Sequence, residues 1–357
     1  MQARPLIRSP HTDTAAGMRA GPAANQPLGG TLAVHHAGTR LPQLGGGMYL
    51  TDGGLETTAV FHHGTDLPHG AAFLLLRNAD GREWLRGYYR RYLRIAQASG
   101  SGFILETPTW RASSDWAWQL NVAYLELDAL NARAVALTRE LAAEYDAASA
   151  RIVVSGCVGP RRDGDAPDLA MTAAQAETYH LRQLAVFARA GADLATAMTM
   201  TNSAEAIGIA RAARALALPV VVSFTVETDG RLPTGQPLSE AIAEVDAATA
   251  AAPVYYMIDC AHPDHFAATL EAGGGWVRRI RGLRADASCR RHAELDAAPA
   301  LDSGNPEQLG RQYRDLLRRH PHINVLGGCC GTDHRHVERI ASACIPPPLR
   351  RMGETPS

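Results

Sequence analysis

Residues 151–200 read RIVVSGCVGPRRDGDAPDLAMTAAQAETYHLRQLAVFARAGADLATAMTM, and their order decides the fold. RIVVSGCVGP is β-branched and is stopped by glycine and proline, which predicts a strand ending near Gly156. Thr172 and Gln175 have the T-x-x-Q spacing of a capping box, so a helix is expected over 173–190, closed by Gly191. ADLATAMTM then predicts the next strand, ending near Met198. A strand, a long helix and a second strand make a βαβ unit, and such units build parallel sheets.

The alternation extends in both directions. Upstream, GMYLTDGG reads as a brief strand closing in a glycine turn near Asp52. Residues 81–99 carry Trp84, Leu85, Tyr88, Tyr89, Tyr92, Leu93 and Ala96 at three- and four-residue steps, an amphipathic helix. GFILET follows as a strand ending at Glu106. Downstream, SAEAIGIARAARALAL is a helix, PVVVSFTVE a strand and LSEAIAEVDAATAA a helix, before strands at VYYMIDC, VRRIRGLRAD and INVLGGCC. Eight strand ends result, about 40 residues apart, which fits a single-domain α/β fold, the (β/α)8 TIM barrel, over residues 47–345. The runner-up is an open doubly wound sheet, but no G-x-G-x-x-G follows the first strand. Residues 1–46, rich in Pro, Gly, Ala, Thr and His without periodicity, are expected to form a disordered N-terminal extension. Residues 346–357 are expected to form a flexible C-terminal tail.

Composition narrows the function. Hydrophobic residues make up 46% of the 357, enough for a large core. A formal charge of −1 leaves no electrostatic footprint for nucleic acid. Every basic residue is arginine, so Schiff-base chemistry on lysine is excluded. No apolar run of 18 residues and no signal-peptide core are present, so no membrane partner is expected and a cytoplasmic setting is the default. The sequence carries no reading of oligomeric state.

Six cysteines are too few for a disulfide scaffold in a chain this long. Cys260 ends the sixth strand, and Cys329 and Cys330 end the eighth. A barrel separates those strands only by the seventh, and chemistry collects at the C-terminal strand ends, so three thiols can converge. Gly327, Gly328 and Gly331 let the backbone turn both neighbouring thiols toward one ion. Three sulfur ligands suit a tetrahedral Zn²⁺ with an open fourth position, the mark of a catalytic site. An electron-rich centre of this kind activates water poorly but suits a substrate held as thiolate. Inert buried cysteines and a vicinal disulfide are the competing readings. Cys157 reads as packing, and Cys289 and Cys344 as incidental. His62, His63, His262, His265, His334 and His336 read as loop or helix-start residues rather than ligands.

TDGGLETTAVFHHG, SFTVETDGRLPTGQPLSEAI, the strand-end cysteine in YYMIDCAHP, and NVLGGCCGTDHRHVERIA together resemble the homocysteine S-methyltransferase family over about residues 48–344. The resemblance implies a (β/α)8 barrel and one zinc held by Cys260, Cys329 and Cys330. It implies a small-molecule thiol acceptor, homocysteine first, and a methyl donor. Asp52 matches the aspartate that helps hold the acceptor's amino group. The family's fourth strand ends in F-E-T-I-P, whose glutamate binds that amino group, but here Met198 stands in its place. Asp259 and Asp286 replace common asparagines, and Glu106 stands where an uncharged residue is common. Asp52, Glu106 and Met198 are therefore the expected substrate contacts. The expected reaction is methyl transfer from a sulfonium donor such as S-methylmethionine or S-adenosylmethionine to homocysteine, giving methionine. The alternatives are methyl transfer to or from another thiol or selenol metabolite, and a zinc-binding or redox-sensing protein without turnover.

Overall fold

A computed structural model describes residues 41–146, 151–162, 171–290, 294 and 300–346. Eight parallel strands close into one barrel in sequence order. They are β1 (Tyr49–Leu50), β2 (Gly102–Glu106), β3 (Ile152–Val158), β4 (Leu194–Met200), β5 (Val220–Thr225), β6 (Pro253–Asp259), β7 (Ile280–Ala285) and β8 (Val325–Gly328). The expected (β/α)8 architecture is present, and all eight expected strands are found.

A helix follows each strand: α1 (Ala79–Ser99), α2 (Tyr124–Asp146), α3 (Ala173–Ala190), α4 (Ser203–Ala215), α5 (Leu238–Thr249), α6 (Pro263–Glu271), α7 (Pro306–Arg319) and α8 (His334–Cys344). The Thr172–Gln175 capping box opens α3, and Gly191 closes it in the left-handed conformation. Helix α1 begins two residues before the apolar pattern does, because the Asn78 side chain accepts the Gly81 amide at 2.7 Å.

Strand periodicity sorts the core into two clusters. Tyr49, Ile104, Val153, Leu194, Val221 and Val325 meet inside the barrel. Their strand neighbours Leu50, Phe103, Val154, Ala195, Val222 and Leu326 face outward under the helices. Two residues further along the inward face, at the C-terminal ends, the side chains become Glu106, Ser155, Thr196, Ser223 and Asp259. The interior thus turns from apolar to polar within one layer, and the polar layer floors the mouth.

The opposite end is plugged by the last part of the segment that sequence assigned to the extension. Leu41 joins the inner apolar cluster, and Pro42–Gly45 form one 3₁₀ turn. Asn324 donates to the carbonyls of Gln43 (2.9 Å) and Gly47 (2.6 Å), and Arg281 donates to those of Gln43 and Leu44. Among the described residues the fold therefore reaches back to Leu41, before the expected boundary at 47. The rest of the expected extension, 1–40, and the tail at 347–357 lie outside the described residues.

Asn324→Ala leaves these carbonyls and the Arg281 guanidinium short of partners in a buried place, and should lower stability by about 2–4 kcal/mol in urea denaturation. Removal of residues 1–40 should leave the midpoint unchanged, whereas removal through residue 46 should lower it.

Candidate active site

Strands β6 and β8 flank β7, so the thiols after their ends face one mouth. Cys260 follows β6 directly and adopts φ 48°, a left-handed conformation that swings its side chain off the strand alternation. Its Sγ lies 2.6 Å from that of Cys329 and 3.6 Å from that of Cys330. All three are free thiols, not disulfides. The Cys329 amide still bonds to Ala285 of β7, and the chain then turns through Gly331 at φ 77°, so both neighbouring thiols join the cluster. A Cβ on Gly328 would run into the Thr332 side chain, so the approach of β8 to that turn needs glycine. The Asp286 carboxylate belongs to the same group, whose four ligand atoms lie within 4.8 Å of one another. Among these thiols Cys330 ionises most readily, its pKa lowered to about 6 by hydrogen bonds from the other two.

Sequence reasoning placed Asp52, Glu106 and Met198 at the substrate. All three are at the mouth and buried. Asp52 and Glu106, however, share a partner that periodicity alone did not reveal. Arg284, near the end of β7, places Nη2 2.7 Å from Asp52 and Nη1 2.7 Å from Glu106, while Nε donates to the Gly328 carbonyl. Side chains in this triad are 6–7% exposed. Tyr88 donates to the second oxygen of Asp52 at 3.0 Å. Burial pushes the pKa of Glu106 up to about 7 and raises that of Asp52, and Arg284 opposes both shifts.

Asp259, just before Cys260, accepts from Ser223 (2.6 Å) and from the hydroxyl (2.8 Å) and amide of Thr199. It orients the Cys260 turn from β4 and β5. Burial, and then the charge of Cys329, raise its pKa to about 7. Glu56, on the short turn after the D-G-G motif, was not singled out by sequence. Burial raises its pKa to about 7 as well. Arg111 lies between the rings of Trp110 and Trp116, 3.9 and 3.8 Å from their centroids.

Most of the six histidines considered above stand at helix starts or in loops, as expected, but His62 ends the helical turn Thr58–His62, and two of the six are buried rather than solvated. His262 caps α6, and His336 completes the capping box of α8 with Asp333. None joins the thiol cluster. Cys157 is buried on the inner face of β3, Cys289 is exposed and Cys344 is half-buried at the end of α8.

The family model for homocysteine S-methyltransferase matches residues 49–344. The chain belongs to the homocysteine S-methyltransferase family. Its activity is accordingly that family's, methyl transfer to homocysteine. The fold is shared with the homocysteine methyltransferase MmuM of Escherichia coli. The metallated form is 20% identical, with a TM-score of 0.65 over 84% of this chain and 98% of that one. The oxidized form is 21% identical, with a TM-score of 0.65 over 83% and 95%. No curated protein matches the chain. Among the described residues, no helix is long and apolar enough to cross a membrane.

The triad makes a pH-dependent stability expected. The folded-state pKa of Glu106 lies above its unfolded value, so its ionisation costs folding free energy as pH rises from about 4.5 toward 7. Arg284→Met removes the counter-charge and enlarges that cost. The variant should be about 3–5 kcal/mol less stable at pH 8 and much closer to wild type at pH 5, where the carboxyls can stay protonated. Urea denaturation at the two pH values checks this, and a pH-independent deficit would contradict it.

Proposed function

We propose that the chain transfers a methyl group from a sulfonium donor to homocysteine, with zinc held by Cys260, Cys329 and Cys330. The observation that carries this reading is the convergence of three free thiols at the barrel mouth. The donor set fits the metal: tetrahedral zinc with ~2.3 Å bonds spaces its sulfurs about 3.8 Å apart. The Cys260–Cys330 pair is already near that spacing, and the Cys260–Cys329 pair must open by about 1 Å. Once bound, zinc supplies the positive charge that keeps an acceptor thiol ionised at neutral pH.

The protein's own groups do the rest. Asp259 and the β7–β8 hydrogen bonds hold the three sulfurs in place. The barrel mouth brings acceptor sulfur and donor methyl into line, which supplies much of the rate by proximity. Asp52, Glu56, Glu106, Asp259 and Asp286 outnumber the guanidinium groups of Arg284 and Arg111 that act on them, and the surplus turns negative as pH rises past about 7. That surplus favours a cationic donor. A cytoplasmic setting, where thiols stay reduced, suits such a site.

Purified protein should hold about one zinc per chain. Cys260→Ala, Cys329→Ala and Cys330→Ala should each lose metal on dialysis and lose methyl transfer from S-methylmethionine or S-adenosylmethionine. Full zinc retention in all three variants would remove the site. Zinc retention without transfer to any thiol would point to a binding protein instead.

A further inference from the structure

Resting on that reading, we infer that Glu56 is the residue that receives the ammonium of the acceptor and sets its selectivity. The two carboxylates placed there by family likeness are already committed. Both Asp52 oxygens are engaged, one by Arg284 and the other by Tyr88. Glu106 faces the same guanidinium at 2.7 Å. The guanidinium stands between the two carboxylates where an incoming ammonium would have to sit, and displacing it would strand a buried charge. On β4, Met198 has no charge to offer.

Glu56 differs in exposure and in hydrogen bonding, with Arg111 acting on it only as a nearby charge. It is only partly buried. Among the described residues its carboxylate takes no hydrogen bond from another side chain; its own backbone amide is its donor. The turn that carries it is tied to the cysteine loop, with the Gly54 amide bonded to the Thr332 carbonyl at 3.1 Å and the Gly331 amide to the Thr57 hydroxyl at 3.1 Å. Its charge bears on Cys329 and Cys330. The ammonium of homocysteine lies only a short carbon chain from its sulfur, so its partner must stand beside the thiols. The turn that carries Glu56 is hydrogen-bonded to the loop that carries Cys329 and Cys330, and an ammonium received there relieves the cost of ionising a half-buried carboxyl.

The test compares L-homocysteine with 4-mercaptobutanoate, the same molecule without the amine, using one sulfonium donor and zinc-loaded full-length protein. The readout is kcat/KM for homocysteine divided by that for 4-mercaptobutanoate, with zinc content and melting temperature measured alongside. Glu56→Gln and, as a second variant, Glu56→Ala should each lower that ratio tenfold or more while zinc stays bound, because one charge-assisted contact is lost for one acceptor only. A ratio within threefold of wild type in either folded variant would overturn the assignment. So would a wild-type ratio near one. A zinc-loaded wild type that methylates neither thiol would overturn the transfer reading itself, an outcome distinct from an active enzyme indifferent to residue 56.

Discussion

The Arg284 ion triad ties the mouth of the barrel together. Strand β1 has only two residues, so the seam it forms with β2 and β8 rests on few ladder hydrogen bonds. Arg284 reaches from β7 to Asp52 after β1, to Glu106 at the end of β2 and to the Gly328 carbonyl of β8. One guanidinium thus bridges four strand ends across the seam. Its planar fork can satisfy several acceptors in fixed directions, which an ammonium on a flexible stem cannot. A buried ion group of this kind adds little net stability over an apolar core, but removing one member is costly. It therefore specifies the arrangement of the mouth more than it strengthens the fold.

The thiol cluster depends on that arrangement. Cys329 directly follows the carbonyl that Arg284 holds, and Cys260 follows Asp259, which is fixed by Ser223 and Thr199. Cys260 and Cys329 are thus each one residue, and Cys330 two, from a group whose position is set by charge or charge-assisted bonds. Thr332 adds a third tie, bonding the Cys329 carbonyl at 2.7 Å and the Gly54 amide at 3.2 Å. The cysteine loop, the D-G-G turn and the end of β7 therefore move as one body, as a site that must hold two reactants in line requires.

Much of this was legible in the sequence, for physical reasons. Strand ends announce themselves where β-branched runs meet glycine or proline, and eight of them at regular spacing leave few topologies. The convergence of Cys260 with Cys329 and Cys330 follows from that topology alone, across a separation of 69 positions or more. The triad did not follow, because residues 178 and 232 positions apart leave no periodic trace of their pairing. One signal was present: Arg284 lies on the same face of β7 as Gly282, which packs on the inward-facing Met257. An arginine directed into a barrel predicts carboxylates opposite it, and Glu106 and Asp52 were the strand-end candidates. The turn at residues 42–45 was missed for a different reason. Its anchoring runs through backbone carbonyls, and composition says nothing about where carbonyls find donors.

Charge accounting bears on the proposed pairing of an anionic thiolate with a cationic donor in one mouth. Arg284 neutralises about one of the two carboxyls it touches, so Asp52 and Glu106 with Arg284 carry a net charge between zero and −1 that grows as pH rises past about 7. Three ionised thiols around a dication would add about another −1 above it. Attack on a sulfonium methyl consumes one negative and one positive charge and leaves two neutral thioethers. Water would stabilise the separated ions and slow that collapse. For the proposed sulfonium donor, a half-buried mouth that excludes water and carries negative charge would hold the cation close without solvating the thiolate, which lowers the barrier for a reaction that destroys charge. Without Arg284 the two buried carboxyls would hold their protons to still higher pH, and more of their anionic charge would be lost from the mouth. By favouring their ionisation at a fixed place, the guanidinium makes the floor beneath the thiols more negative, and the same contact that closes the barrel seam shapes the field at the mouth.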